Sequence, residues 1–208
     1  GVALEGSGDV IEARIVISTL DPNRTFLRLL DPATLPGDFV EEVRRYKLRG
    51  SSGKVNLALD ALPDFTALPG PGAHLRGAIS ISPGVEYMER AYDDAKYGHF
   101  SRRPYMDIVI PSLTDPSIAP PGKPVMSCFV QYPPYKLSEG DWDSQKEAFG
   151  DTVVDTIAEY APDLKQRILH GQVLTPLDLE REWGLTEGNI FQGELSMEQL
   201  FFLRPVPG

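Results

Sequence analysis

The residues able to do chemistry are few and scattered. Histidines stand at positions 74, 99 and 170, and none falls in a spacing such as HExxH or HxH that would bring two imidazoles to one metal ion. His74 lies in a Pro/Gly-rich stretch, His99 just past a predicted helix end, and His170 in a predicted last helical turn, where a cation is favoured. All three read as surface histidines. Cys128 alternates with Met126 and Val130, the setting of a buried structural thiol. As a lone cysteine it allows neither an internal disulfide nor a cysteine metal cluster. Gly6-Ser7-Gly8 has only the outline of a G-x-S-x-G nucleophile elbow and reads as a hairpin turn. Glu41-Glu42, Asp93-Asp94 and Asp141/Asp143 sit near helix ends or on polar faces, where solvated charge is the default. No G-x-G-x-x-G follows a strand and no P-loop occurs, so the glycine turn that seats a dinucleotide pyrophosphate on a helix N-terminus is missing.

The elements that must position any site follow from periodicity. Val2–Glu5, the turn Gly6-Ser7-Gly8-Asp9 and Val10–Ser18 predict a β-hairpin whose second arm turns Ile11, Ala13, Ile15 and Ile17 to one face of a buried sheet. Asp21-Pro22 supplies an N-cap and N1 proline for a short helix, and a second starts near Pro36 with Phe39, Val40 and Val43 on one side. Lys54–Asp60 alternates strictly, with Val55, Leu57 and Leu59 opposite Lys54, Asn56 and Asp60. After a Pro/Gly loop (63–72), a helix is predicted from Ser82-Pro83 to Gly98 with Val85, Met88, Tyr92 and Ala95 on its packed face. Strands follow near Tyr105–Pro111 and Val125–Tyr132, joined by a proline-rich connection. The longest helix runs from Trp142 to Tyr160 with Phe149, Val153 and Ile157 on one face. Ala161-Pro162 breaks it, and a helical continuation through Leu164 and Ile168 is expected to end at His170-Gly171. Thr175-Pro176 opens a further helix closed by Gly184, and Ser196 with Gln199 has the form of a capping box. Irregularly interleaved strands and helices predict an α+β fold with a mixed, mostly antiparallel sheet flanked by helices.

With 208 residues, 41% of them hydrophobic and 24% charged, the chain can bury a real core. The net charge of -10 disfavours nucleic acid as a partner. No run approaches the roughly 18–20 apolar residues that cross a bilayer. Single-cysteine usage fits a reducing, cytoplasmic compartment, with peripheral membrane attachment as an alternative. The opening Gly1-Val2-Ala3-Leu4-Glu5 lacks both an initiator methionine and a signal-peptide pattern, and we read the chain as a piece of a longer protein.

Three segments, in order, resemble phytoene dehydrogenase-related proteins of the flavin amine-oxidase-like superfamily. They are Ala13–Pro22 followed by Thr25-Phe26-Leu27; Pro111–Ser117 with Ala119–Lys123 and Phe129-Val130-Gln131-Tyr132; and Gly188-Asn189-Ile190-Phe191 with Gly193-Glu194-Leu195, leading to Arg204-Pro205-Val206-Pro207-Gly208. The set is more similar to the pyridine-nucleotide-disulfide-oxidoreductase-domain-containing branch than to the carotenoid desaturases. One departure stands out. The family commonly has histidine between Phe191 and Gly193, where this chain has Gln192, an amide that bonds in both directions but does not titrate near neutrality.

The resemblance implies an FAD-dependent oxidoreductase in which this chain is the substrate-binding middle part, starting after one flavin-binding glycine motif and stopping before another. Residues 1–20 would then edge the flavin domain and 21–208 form the substrate domain. FAD is expected in the full-length protein and none on this chain alone, which is expected to be inactive by itself. Substrate-facing candidates are Lys54, Asn56, Gln131 and Gln192, with Lys54 equally readable as solvent-facing. Ser18, Thr19 and Arg204 are candidates to approach the flavin in the full-length protein. Tyr87, Met88, Tyr92, Phe100, Tyr132, Tyr135, Phe201 and Phe202 suit either a large apolar substrate or core packing. The alternative is a non-catalytic binding or homodimerisation module using an apolar face of the helices between Trp142 and Ile168.

Overall fold

The computed structural model describes residues 1–207, which divide into two compact units: 1–47 with 195–207, and Leu48–Glu194. In the first unit, strands β1 (Val2–Ala3) and β2 (Val10–Ile11) pair antiparallel, Val2 opposite Ile11. Gly6 and Gly8 make the turn at φ 91° and 74°, a region open to glycine. The strand expected to continue to Ser18 does not form. Among the described residues nothing pairs with it, and Ile15 and Ile17 are exposed. Alternation alone cannot hold a strand without a ladder partner.

Helix α1 (Pro22–Arg24) is capped as expected, the Asp21 carboxylate accepting from the Arg24 N–H at 2.9 Å. It runs into one wide turn over Thr25–Leu29, and Phe26 meets Phe39 edge-on at 4.9 Å. Helix α2 (Gly37–Arg45) buries Val40 and Val43. The capping box expected at Ser196 is absent. Gln199 is buried and clamps the backbone of Lys47 instead, accepting from its N–H at 2.7 Å and donating to its carbonyl at 3.0 Å. A primary amide satisfies both groups of one residue at once, and that long-range pairing replaces the local cap.

The second unit is built on one antiparallel sheet, in the order β4–β5–β6–β3–β7, comprising β3 (Ser52–Leu59), β4 (Ile79–Ile81), β5 (Tyr105–Val109), β6 (Val125–Gln131) and β7 (Ile168–Leu174). The flanking helices are α3 (Val85–Lys96), α4 (Trp142–Ala158), α5 (Leu164–Arg167) and α6 (Pro176–Trp183). This is the expected α+β class, with every strand pair antiparallel. Val55, Leu57, Leu59, Met106, Ile108, Met126, Cys128 and Val130 join Phe149, Val153 and Ile157 of α4 in a fully closed core. Phe149 seats against Gly53, where an added Cβ would come within 2.8 Å of its ring; only a missing side chain admits that approach.

Two readings of the second unit are corrected. The packed face of α3 is Ala91 with half-buried Tyr87 and Met88, whereas Val85 and Tyr92 are exposed. The helix is turned by about one residue, so the small Ala91 rather than Tyr92 makes the close contact. The stretch after Pro162 is helical only over Leu164–Arg167 and then extends as β7. His170 therefore lies in a strand opposite Ala58 and not in a helical turn. β7 is an edge strand, exposed over most of its length, so its apolar pattern is too incomplete to announce a strand. Helix α6 follows expectation, with Thr175 and Asp178 in a reciprocal capping box and Gly184 closing it at φ 69°. No helix among the described residues is long and apolar enough to cross a membrane.

Candidate functional site

Alternation fixes the two faces of the sheet. Residues packed on α4 leave the opposite set uncovered: Ser80 on β4; Tyr105, Asp107 and Val109 on β5; Val125, Ser127, Phe129 and Gln131 on β6; Ser52, Lys54, Asn56 and Ala58 on β3; His170, Gln172 and Leu174 on β7. Most of these are exposed or half-buried. The register aligns them in rows. Val109, Ser127, Asn56 and Gln172 form one row; Ser80, Asp107, Phe129, Lys54 and Leu174 form the next; Tyr105, Gln131 and Ser52 form a third.

The first row is a continuous polar chain. Ser127 Oγ donates to Asn56 Oδ1 at 2.8 Å, and Asn56 Nδ2 donates to Gln172 Oε1 at 3.0 Å. A recess of about 530 Å³ borders this row at the β7 edge, lined by Asn56, Ala58, Val125, His170 and Gln172 from this face and by Leu57, Gly171, Val173 and Lys146 of α4 from the other. In the second row the Asp107 carboxylate accepts from Ser80 Oγ and, at 2.8 Å, from the Tyr105 hydroxyl. That hydrogen bond holds the Tyr105 phenol above its ordinary pKa. At the Gln131 end stand three tyrosines, Tyr132 lying 5.3 Å from Tyr92 and 6.4 Å from Tyr105 between ring centres. The arrangement offers amide and hydroxyl groups set among Val109, Val125 and Phe129, which suits a mostly apolar molecule with a few polar points.

The sheet thus brings Lys54, Asn56 and Gln131 onto one face. Gln192 belongs elsewhere, to the loop after α6, where it adopts φ 55° and its N–H reaches the Asn189 carbonyl at 3.3 Å. Asn189 anchors that loop, donating to the Arg49 carbonyl at 3.0 Å and accepting from the N–H of Phe191 at 2.8 Å. Arg49 pairs with Glu194 through Nη2 and Oε2 at 3.0 Å. In the other unit, Ser18 Oγ shares a 2.7 Å hydrogen bond with Thr25 Oγ1, Thr19 is exposed, and Arg204 Nε donates to the Tyr46 hydroxyl at 2.7 Å.

Sequence reasoning missed Ser127, Gln172 and Asp107. Ser127 and Asp107 were within reach, because alternation from Gln131 and from Tyr105 places both on the same face. Gln172 was not, since its strand read as helix.

Other groups are accounted for structurally. Burial pushes the Cys128 thiol up to about 12, which removes it as a nucleophile. No group of three His, Cys, Asp or Glu among the described residues is placed to hold a metal ion. A groove of about 570 Å³ lies between Leu62–Asp64 and the proline-rich stretch Pro116–Pro124, and one of about 420 Å³ lies beside β4, lined by Phe65, Leu68, His74 and Tyr160. Neither gathers the polar rows found on the open face.

The described residues do not form the strand-turn-helix cradle of a dinucleotide such as FAD. All strand pairs are antiparallel, so there is no βαβ turn to carry it. The N-termini of α4 and α6 are filled by Asp141 and Asp178 of their own capping boxes, carboxylates that would repel a pyrophosphate.

The second unit is thus an antiparallel α+β sheet with one sealed face and one open, mixed-polarity face. No protein-family model matches the chain. Over its full length it is 42% identical to pyridine nucleotide-disulfide oxidoreductase domain-containing protein 2 of Rattus norvegicus and, equally, of Mus musculus. It is 25% identical, over 99% of its length, to the neurosporene-forming phytoene desaturase of Cereibacter sphaeroides. The chain spans 37% of the two mammalian proteins and 38% of the desaturase. It matches a segment of phytoene desaturase-related oxidoreductases, in line with the resemblance its motifs carry.

Proposed function

We propose that this chain is the substrate-binding part of a longer FAD-dependent oxidoreductase, and that the open sheet face is the wall against which an apolar substrate lies. The observation that carries the reading is the contrast between the two faces of one sheet. One is sealed by α4, and the other displays the chain Ser127–Asn56–Gln172 among uncovered apolar side chains. Relatives named as an oxidoreductase domain-containing protein and as phytoene desaturases favour redox chemistry on such a substrate. In this reading the flavin, which accepts or donates a hydride, is held by residues outside this chain, with Ser18, Thr19 and Arg204 near it. Alone, the chain is inactive and binds no flavin.

The role of these residues is to hold and orient. Asn56, Ser127 and Gln172 give directed hydrogen bonds, Phe129, Val109 and Val125 give apolar contact, and Gln131 sits beside Tyr105 at one end of the cavity wall. Gln192 would reach the substrate from the Gly188–Gly193 loop as an amide that positions without exchanging protons.

Kinetics of the complete oxidoreductase test this. Asn56→Leu and Gln131→Leu should each lower kcat/KM about tenfold or more while leaving the thermal midpoint within a few degrees. Turnover equal to the parent's for both variants would refute the assignment of the face.

A further inference from the structure

We propose that Lys54 is the anchor for an anionic head group, so that the ligand of the open face is an amphiphile with a carboxylate at one end and not a pure hydrocarbon. The inference rests on reading that face as the binding wall and adds what the ligand must carry. Of the Lys, Arg, Asp and Glu side chains among the described residues, the five strands turn only Lys54 and Asp107 to this face. Asp107 is occupied, accepting hydrogen bonds from the Ser80 and Tyr105 hydroxyls. Among the described residues the Lys54 side chain makes no hydrogen bond and no ion pair, whereas eleven other cations of the chain are paired at the surface. Its neighbours across the strands are Phe129 on β6 and the buried Leu174 on β7, so its charge is flanked by apolar groups and has no polar partner in its own row nearer than Asp107, two strands away.

Adjacent strands lie about 4.8 Å apart, which separates the Lys54 and Asp107 positions by roughly 10 Å with Phe129 between them. An ammonium at that distance from a carboxylate already committed to two hydroxyls is left to attract an anion from outside. The next row, Asn56 with Ser127 and Gln172, contains no charge. An incoming molecule therefore meets one unpaired lysine, a hydrogen-bonding row of Asn56, Ser127 and Gln172, and the apolar side chains Val109, Val125 and Phe129, the Lys146 ammonium at the recess being paired with Asp178. That order matches a long-chain carboxylate laid along the face with its head at Lys54. A charge-assisted pair of this kind also fixes which end of the chain lies where, which a uniform apolar surface cannot do.

The test uses cis-parinaric acid, a fluorescent polyene carboxylate, and its methyl ester, titrated into the whole chain and into Lys54→Gln, Lys54→Arg and Phe129→Ser variants. The chain should bind the acid about tenfold or more tightly than the ester. Lys54→Gln should erase that preference, Lys54→Arg should keep it, and Phe129→Ser should weaken acid and ester alike. Equal binding of acid and ester, unchanged in Lys54→Gln but weakened in Phe129→Ser, would overturn the anchor while leaving the face as the binding wall. Absence of binding by either probe, or binding indifferent to Phe129→Ser, would overturn both. A dimer cross-linked through Lys54 that excludes the probes would do so too, by assigning the face to a second copy.

Discussion

Asn56 and Gln172 face each other across β3 and β7, amide to amide, with Asn56 Nδ2 donating to Gln172 Oε1 at 3.0 Å. Because Asn56 also accepts from Ser127 at 2.8 Å, one side chain ties three strands together on the uncovered side of the sheet. Both partners keep access to water, so the network costs little to break. Replacing Asn56 by Ala should lower stability by no more than about 1 kcal/mol, measured by urea unfolding, because exposed groups can re-bond to solvent. A loss of several kcal/mol would show that the face is covered.

Gly53 allows Phe149 to reach the sheet. In Gly53→Ala, the new Cβ would lie within 2.8 Å of the ring, an overpacking that should cost about 1–3 kcal/mol. Phe149→Leu should recover part of that cost in the double variant, since the smaller side chain frees the space. Equal destabilisation by Gly53→Ala with and without Phe149 would exclude the steric explanation.

Asp178 carries the acid sensitivity of α6. Burial opposes its ionisation, but hydrogen bonds from the Thr175 N–H and hydroxyl and the pairing with Lys146 at 3.0 Å hold its carboxyl below the ordinary 3.8. A depressed carboxyl pKa contributes stability that is fully present above the unfolded-state value and lost as pH falls through the lower, folded value. Unfolding of the parent chain should therefore ease as pH drops below about 4. Asp178→Asn should flatten that limb while leaving a lower plateau at neutral pH. Superimposable profiles for the two proteins would contradict the assignment.

Cys128 should be chemically silent in the native state. It is fully buried, with its thiol raised to about 12. Ellman's reagent at pH 8 should modify it at under about a hundredth of the rate seen in denaturant. Prompt native-state labelling would show that the core opens at β6.

Much of the second unit was legible because its strands and main helix repeat cleanly. Val55, Leu57 and Leu59 declared one face of β3, and Phe149, Val153 and Ile157 the face of α4 that covers it. Lys54, Asn56 and Gln131 share one face of the sheet, the first two by the alternation of β3 and Gln131 by its register on β6. What escaped was set by tertiary context. β7 is an edge strand whose side chains are mostly wet, so no periodicity marked it, and Gln172 was lost with it. The arm through Ile15 and Ile17 reads as a strand but has no ladder partner among the described residues. Ser196 and Gln199 have capping-box spacing, yet the glutamine prefers a backbone more than a hundred residues away. Local rules saw each sequence pattern and could not see which partner would claim it.

Methyl NMR of the chain, with its valines labelled, tests the central claim most directly. Val109 and Val125 lie on the uncovered side of the sheet, while Val55 and Val130 lie in the sealed core of the same strand ladder. On titration with cis-parinaric acid, the methyl signals of Val109 and Val125 should shift in a saturable way while those of Val55 and Val130 stay in place. Saturable shifts that leave Val109 and Val125 unmoved would contradict the assignment of that surface as the binding wall.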